Sequence, residues 1–335
     1  MARSLSPFPV TAAGPPRNRT VFRDVRSVCL LGSRIGNAFQ GAAAPALARS
    51  RHGHCNVDCV SKRTAILHAN CQGQPLAAQL LASPEFARSF TPRVYLNYAR
   101  EPIPEAELAG CGLFLYQHLG PEWGELASDA LLARLPADCP RLCIPNMFFR
   151  GPWPLWSGAP GFDYRDVFLD RLVEMGLPGQ DILHLYLHMP LERKYDLDAL
   201  LAETVARETE RQAHTPVRYL DFVLEHWRSR QLFLTVNHPG PELLQLAAAG
   251  ILRELGLAAQ DQALVPRPES LGKAYGDFEL PVHPQAAAFY SLNYGTAEQV
   301  YKTYGRPRTF LQYTVAYVGC RMAGVNDFIA YLQLP

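Results

Sequence analysis

Thr64-Ala65-Ile66-Leu67-His68-Ala69-Asn70-Cys71-Gln72-Gly73-Gln74-Pro75-Leu76-Ala77-Ala78-Gln79-Leu80-Leu81 is the stretch that decides the fold. Its first six residues form an apolar run that reads as a buried strand. The run stops at a small polar tetrad, Asn70-Cys71-Gln72-Gly73, and residues 76–81 carry a helical pattern. Strand, tight turn and helix in that order begin a parallel α/β layer, in which ligands collect at the carboxyl ends of the strands. The turn also holds a nucleophile. The first N–H groups of the following helix are unpaired and its dipole end is positive, which favours a thiolate or an oxyanion beside Cys71.

A second junction of this kind lies far downstream. The apolar run Leu232-Phe233-Leu234-Thr235-Val236 meets Asn237-His238-Pro239-Gly240 and then the helix-like Glu242-Leu243-Leu244-Gln245-Leu246. Cys71 after one strand and His238 after another make a nucleophile–base pair.

Working outward, strands are expected at 65–69, 93–96, 113–117, 141–144 and 231–236. Helices are expected at 76–81, 128–133, 164–175, 197–211, 219–228 and 241–255. The alternation predicts a small parallel α/β part over about 63–160 and 230–256, interrupted by a charged helical insertion over about 161–229. A loop-rich C-terminal part, 257–335, is Tyr-, Pro- and Gly-rich. No internal repeat is present.

Composition sets the limits. The 335 residues are 48% hydrophobic and 19% charged with a formal net charge of +1, which fits a globular protein with ample core and no dedicated nucleic-acid partner. No apolar run approaches the roughly 20 residues of a membrane-spanning helix. Eight cysteines without regular spacing read as reduced thiols of a cytoplasmic protein rather than a disulfide scaffold. Residues 1–62 differ from the rest: they are rich in Arg, Ala, Pro, Gly and Ser, with only Asp24 and Asp58 as acids. They read as a poorly ordered basic extension, a composition that an organellar transit peptide shares. His52, His54, Cys55 and Cys59 have zinc-ligand chemistry, but no second pair follows at finger spacing, so no metal is expected.

Four clusters fall at predicted strand ends: Asn70-Cys71-Gln72, Gln117-His118, Pro145-Asn146-Met147-Phe148-Phe149-Arg150-Gly151, and Asn237-His238-Pro239. Asn70, Gln72, Gln117 and Asn146 suit oxyanion or amide contacts, and Asn237 is a turn residue beside the proposed base. A nucleophile, polar donors and a late His on successive strand ends is the layout of SGNH hydrolases. Each residue also has an ordinary structural reading: Cys71 as a small buried hydrophobe, His238 as a core or capping histidine, Gln117 as a partner for backbone groups, and the aromatics as core. No Gly-rich phosphate loop appears, so nucleotide-dependent hydride or phosphoryl transfer has no support.

These clusters resemble the WcbI-type acetyltransferases of capsular polysaccharide biosynthesis. The resemblance rests on Asn70-Cys71-Gln72 closing the first strand, on Pro145-Asn146 with Phe148-Phe149 and Gly151, on Tyr195-Asp196, and on Trp227-Arg228 with Thr235-Val236-Asn237-His238-Pro239. It spans about 63–311. His68-Ala69 departs from the Gly usual before the Asn, and Met147 is an extra residue before the aromatic pair. The resemblance implies a mainly helical, cradle-shaped protein with a small α/β subdomain. It also implies a deep coenzyme A pocket to which Phe149, Gly151 and Tyr195 contribute beside Asn70, Gln72, Gln117, Asn146 and Asn237. The implied activity is acyl transfer from acetyl-CoA, as substrate, to a sugar hydroxyl, with other polysaccharide-biosynthesis proteins as implied partners. His238 would take the hydroxyl proton, and Cys71 would either carry the acyl group or line the thiol end of the pocket. A Cys/His esterase or thioesterase, and a non-catalytic CoA- or glycan-binding partner, are the alternatives.

Overall fold

The computed structural model describes residues 62–257, 275 and 277–334. The basic extension and its His52–Cys59 group lie outside the described residues, apart from Lys62. Four strands, β1 (Arg63–Ala69), β2 (Phe90–Leu96), β3 (Cys111–Tyr116) and β4 (Arg141–Cys143), form one sheet in the order β2-β1-β3-β4, with every neighbouring pair parallel. β1 occupies an inner position, which explains why its sequence is a near-continuous apolar run rather than an alternating one. Ala65, Leu67 and Ala69 enter the large core, while Ile66 enters a smaller one behind the sheet.

Helices cover both faces. The large core takes α1 (Gly73–Leu81) and α9 (Pro241–Glu254), through Leu76, Ala77 and Leu80 on one and Leu243, Leu244, Ala247 and Ile251 on the other. The smaller core takes Leu108 of α3 (Glu105–Ala109) and Leu131 of α4 (Ser128–Leu132) against Ile66 and Phe114. Pro75 is accommodated in the first turn of α1, where its missing N–H costs nothing.

The layer is doubly wound. From β1 the chain goes outward to β2, then returns across β1 to β3 and β4, so the winding reverses between β1 and β3. The crevice at that reversal is the preferred ligand position of open parallel sheets. Asn70-Cys71-Gln72 follows β1 and Gln117 follows β3, one on each side of it.

The predicted fifth strand departs from expectation. Phe233–Thr235 (β7) pairs antiparallel with His238–Pro239 (β8) in a hairpin of its own and does not join the parallel sheet. An apolar run flanked by turn residues fixes neither partner nor direction, and this one is only three residues long in the sheet sense. The hairpin is nonetheless bound to the layer: the Phe149 N–H donates to the Val236 carbonyl at 2.7 Å. His238 therefore reaches the region from a hairpin, not from the carboxyl end of a parallel strand.

The helical middle is as expected in outline, with α5 (Val167–Glu174), α7 (Leu197–Gln212) and α8 (Leu220–His226) close to the predicted spans. It also contains an unpredicted α6 (Gly179–His188). Among its described residues the C-terminal part is richer in helix than expected. It holds the helices Pro284–Phe289, Phe310–Met322 and Phe328–Gln333 and an antiparallel pair, Val300–Thr303 with Arg306–Thr309. Tyr313, Tyr317 and Phe328 are buried in the same core as α5 and α6, so aromatic packing rather than turn chemistry explains the composition of this segment.

Candidate functional site

The turn after β1 is built by its own residues. Asn70 Oδ1 accepts the Gln72 N–H at 2.9 Å, and the Gly73 N–H returns to the Asn70 carbonyl at 2.9 Å. That is an Asx turn leading into α1. Glycine is required next: a Cβ at Gly73 would lie 2.8 Å from Val94 Cγ1 and 3.0 Å from Ala69 Cβ. The close approach of helix to sheet leaves Cys71 half-buried at the mouth of the crevice.

Two glutamines lock the loops together. Gln117, fully buried, accepts from the Asn70 N–H at 2.8 Å and from Asn97 Nδ2 at 3.4 Å. Its amide donates to the Pro145 carbonyl at 3.0 Å and is shared with Asn70 Oδ1 and Gln72 Oε1. Gln72, 1% exposed, donates to the carbonyls of Met147 (2.7 Å) and Asn237 (2.9 Å) and accepts the Met147 N–H at 3.1 Å. Loops after β1, β3, β4 and β7 thus converge on two side chains. With their hydrogen-bonding capacity spent inside the protein, Gln72 and Gln117 hold the site's geometry and leave ligand contact to others.

The half-buried residues retain capacity. Asn70 Nδ2 donates to Asn146 Oδ1 at 3.1 Å, which leaves the Asn146 N–H groups uncommitted in that bond. The Thr235 hydroxyl donates to Asn237 Oδ1 at 3.1 Å, and this orients the Asn237 amide toward Cys71 Sγ, 3.8 Å away. Asn70, Cys71, Asn146 and Asn237 therefore bring one thiol and three side-chain amides into one part-buried cluster.

His238 is buried and stacked on the Tyr275 ring, with centroids 4.3 Å apart and planes 16° from parallel. Its Nδ1 has no hydrogen-bond partner, and burial pulls its pKa down to about 4. The imidazole is accordingly neutral. The neighbouring Tyr275 hydroxyl is also unpartnered, and its pKa is pushed well up by burial and then by Cys71.

Three expected pocket residues lie elsewhere. Phe149 is a core residue, packed against Trp227 and Phe233. Gly151 fits beneath it, since a Cβ there would run into the Phe149 ring and the Trp227 indole. Tyr195 packs edge-on against Phe168 at 6.0 Å, and none of the three residues joins the amide cluster. In the other direction, sequence reasoning passed over Asn97, Tyr275 and Glu208. Glu208, 1% exposed, accepts from the Phe148 N–H and the Tyr219 hydroxyl, each at 3.0 Å, and pairs with Arg211. It anchors the 145–151 loop to α7. Only Asn97, a polar residue just beyond β2, followed the strand-end pattern that revealed the others.

A doubly wound α/β layer with a thiol and amide donors at its winding reversal is a ligand-binding architecture of enzyme type. The chain belongs to the WcbI family of polysaccharide biosynthesis enzymes, whose family model matches residues 64–260. A solved structure of WcbI shares the fold at a TM-score of 0.64 and 17% identity, over 82% of this chain and 99% of that one. That structure is described as a novel polysaccharide biosynthesis enzyme, in the native form without a disulfide bond between coenzyme A and one of its cysteines. No curated protein matches the sequence. Among the described residues no group of three or more His, Cys, Asp or Glu is placed to hold a metal ion, and no helix is long and apolar enough to cross a membrane.

Proposed function

We propose that this protein transfers an acyl group, most simply acetyl, from coenzyme A to a sugar hydroxyl during the synthesis of a capsular or other surface polysaccharide. The observation that carries the proposal is the cluster at the winding reversal, where the Asn237 amide lies 3.8 Å from Cys71 Sγ and Asn70 bonds Asn146. A thioester carbonyl seated there would meet amide N–H donors for its developing oxyanion. The solved WcbI structure, described as lacking a disulfide bond between coenzyme A and one of its cysteines, is what suggests placing the pantetheine thiol beside Cys71. Acyl-CoA as donor also puts the reaction in the cytoplasm.

In the reaction the acceptor hydroxyl oxygen attacks the thioester carbonyl. A C–O bond forms, the C–S bond breaks, and the hydroxyl proton ends on the departing coenzyme A sulfur. His238 is the assigned base, with its unpartnered Nδ1 as the proton acceptor. Its low basicity is the cost of burial, and its gain is that the lone pair stays available across the neutral and mildly acid range. Cys71 lines the thiol end in this scheme. An acyl-Cys is itself a thioester, so a covalent relay adds no driving force. The layout is SGNH-like in function, with a nucleophile-position residue and a late His, although His238 comes from the β7–β8 hairpin.

The test is free coenzyme A release from acetyl-CoA with and without a polysaccharide or sugar-nucleotide acceptor. Acceptor-dependent release with an acetyl ester on the sugar is the predicted result. Acceptor-independent release would make the protein a thioesterase using the same Cys71 and His238, and tight binding without release would make it a coenzyme A-binding partner of other capsule enzymes.

A further inference from the structure

Arg150, among the described residues, has a buried guanidinium N–H with no partner and no ion pair. It lies in the 145–151 loop, whose backbone is fixed on both sides: the Phe149 N–H is bonded to Val236, and the Trp153 N–H donates to the Arg150 carbonyl at 2.8 Å. Its Nη2 donates to the Pro154 carbonyl at 3.2 Å, its Nε is buried with no partner, and it forms no ion pair among the described residues. Other inward-facing arginines are provided for. Arg165 and Arg321 share Asp170, Arg211 pairs with Glu208, and Arg308 bonds Thr303 and the Leu332 carbonyl.

The charges near Arg150 do not compensate it. Glu203 is the acid whose charge acts on Arg150, and it is already paired at 2.5 Å with Arg207 on α7. Two guanidinia therefore stand against one carboxylate. Burial lowers the Arg150 pKa, a sign that the charge is held at a cost. A guanidinium with five N–H donors and one protein acceptor, half-buried and with a face to solvent, matches a multi-oxygen anion that takes parallel hydrogen bonds. An uncompensated charge in that position is stabilised by a ligand that brings the counter-charge.

We propose that Arg150, with Arg207 beside it, is an anion-binding point that takes a phosphate group of a diphosphate ester. Resting on the function proposed above, the ester is coenzyme A; a sugar nucleotide offers the same chemistry. The fixed loop also explains how one segment serves both ends of a long ligand, with Asn146 at the thiol cluster and Arg150 four residues on.

Calorimetric titration of the full chain with coenzyme A, pantetheine, UDP and inorganic pyrophosphate tests this on wild type, Arg150→Gln and Arg150→Lys. Arg150→Gln is expected to weaken coenzyme A about ten- to a hundredfold, the range for a lost charge-assisted contact, with pantetheine unaffected and Arg150→Lys intermediate. Equal coenzyme A and pyrophosphate affinity in wild type and Arg150→Gln overturns the anion site and leaves the coenzyme A reading standing. Loss of pyrophosphate and UDP binding in Arg150→Gln, with no coenzyme A binding to either protein, keeps the anion site and sinks the coenzyme A reading. Should Arg150→Gln not fold, phenylglyoxal labelling of wild type decides: coenzyme A and pyrophosphate, but not pantetheine, shield Arg150, and an Arg150 modified equally in all cases contradicts the proposal.

Discussion

At the scale of single residues, the informative contrast is between side chains that are spent and side chains that are not. Gln72 and Gln117 were candidates for ligand contact because amides at strand ends suit oxyanions. Their bonds to Pro145, Met147 and Asn237 show amides used as fasteners. His238 is unspent, and its environment makes a definite statement about pH. Because burial lowers its pKa from 6.5 to about 4, the neutral ring required of a base persists as pH falls through 6.5 and is lost only near 4. The acid limb of the transfer rate is therefore expected near pH 4, and a limb near 6.5 would assign the proton to another group. His238→Ala is expected to slow acyl transfer by roughly 10²–10⁴-fold with coenzyme A affinity held within about threefold. Steady-state kinetics beside calorimetry checks the split, and near-wild-type turnover would make His238 a packing residue. The Asn-Cys-Gln turn was legible because its geometry is local, fixed by Asn70 and Gly73. Glu208 was not, since a glutamate within an amphipathic helix reads as solvent-facing until its partners from distant segments are known.

At the scale of elements, legibility followed periodicity. α7 and α9 were evident from their apolar spacing, and β1 from its unbroken apolar run. Helix α6 was hidden because Leu183, Leu185 and Leu187 alternate with His184, Tyr186 and His188, a period-two pattern that mimics a strand. Helix Phe310–Met322 was hidden by its aromatic and β-branched residues, although its Thr309–Gln312 capping box is a local start signal. The β7–β8 pairing was illegible for a different reason: strand partnership is a long-range property. The tie between α7 and the 145–151 loop carries a prediction. Burial raises the Glu208 pKa from 4.5 to about 7, so the folded protein holds that proton more tightly than the unfolded chain. Its stabilising contribution is complete below about 4.5 and lost as pH rises through about 7. Glutamine does not titrate, so the stability of Glu208→Gln relative to wild type is expected to climb between pH 4.5 and 7, by up to about 3 kcal/mol, and then level off. Chemical denaturation across that range measures it, and a difference independent of pH would show that Glu208 is ionised in the folded state.

At the scale of the whole molecule, the parallel α/β layer was foreseeable from strand–helix alternation, and the position of its candidate site from the rule that ligands gather at the carboxyl ends of parallel strands. The helical character of the C-terminal part was not, because it depends on Tyr313, Tyr317 and Phe328 meeting α5 and α6 in one core. Every proposed site residue lies beyond Arg63, and the family match begins at residue 64. A chain of residues 62–335 is therefore expected to bind coenzyme A within about twofold of the full chain; a large loss in calorimetric affinity, with circular dichroism unchanged, would place part of the site in residues 1–61. The central claim is that the coenzyme A thiol sits at Cys71, at the reversal between β1 and β3. Mild diamide oxidation of the protein with coenzyme A, followed by peptide mass mapping of the mixed disulfide, tests it most directly. A coenzyme A adduct on Cys71 in near-stoichiometric yield, ahead of every other cysteine, is the predicted result; an adduct on another cysteine, or none on Cys71 under conditions where coenzyme A binds, would contradict it.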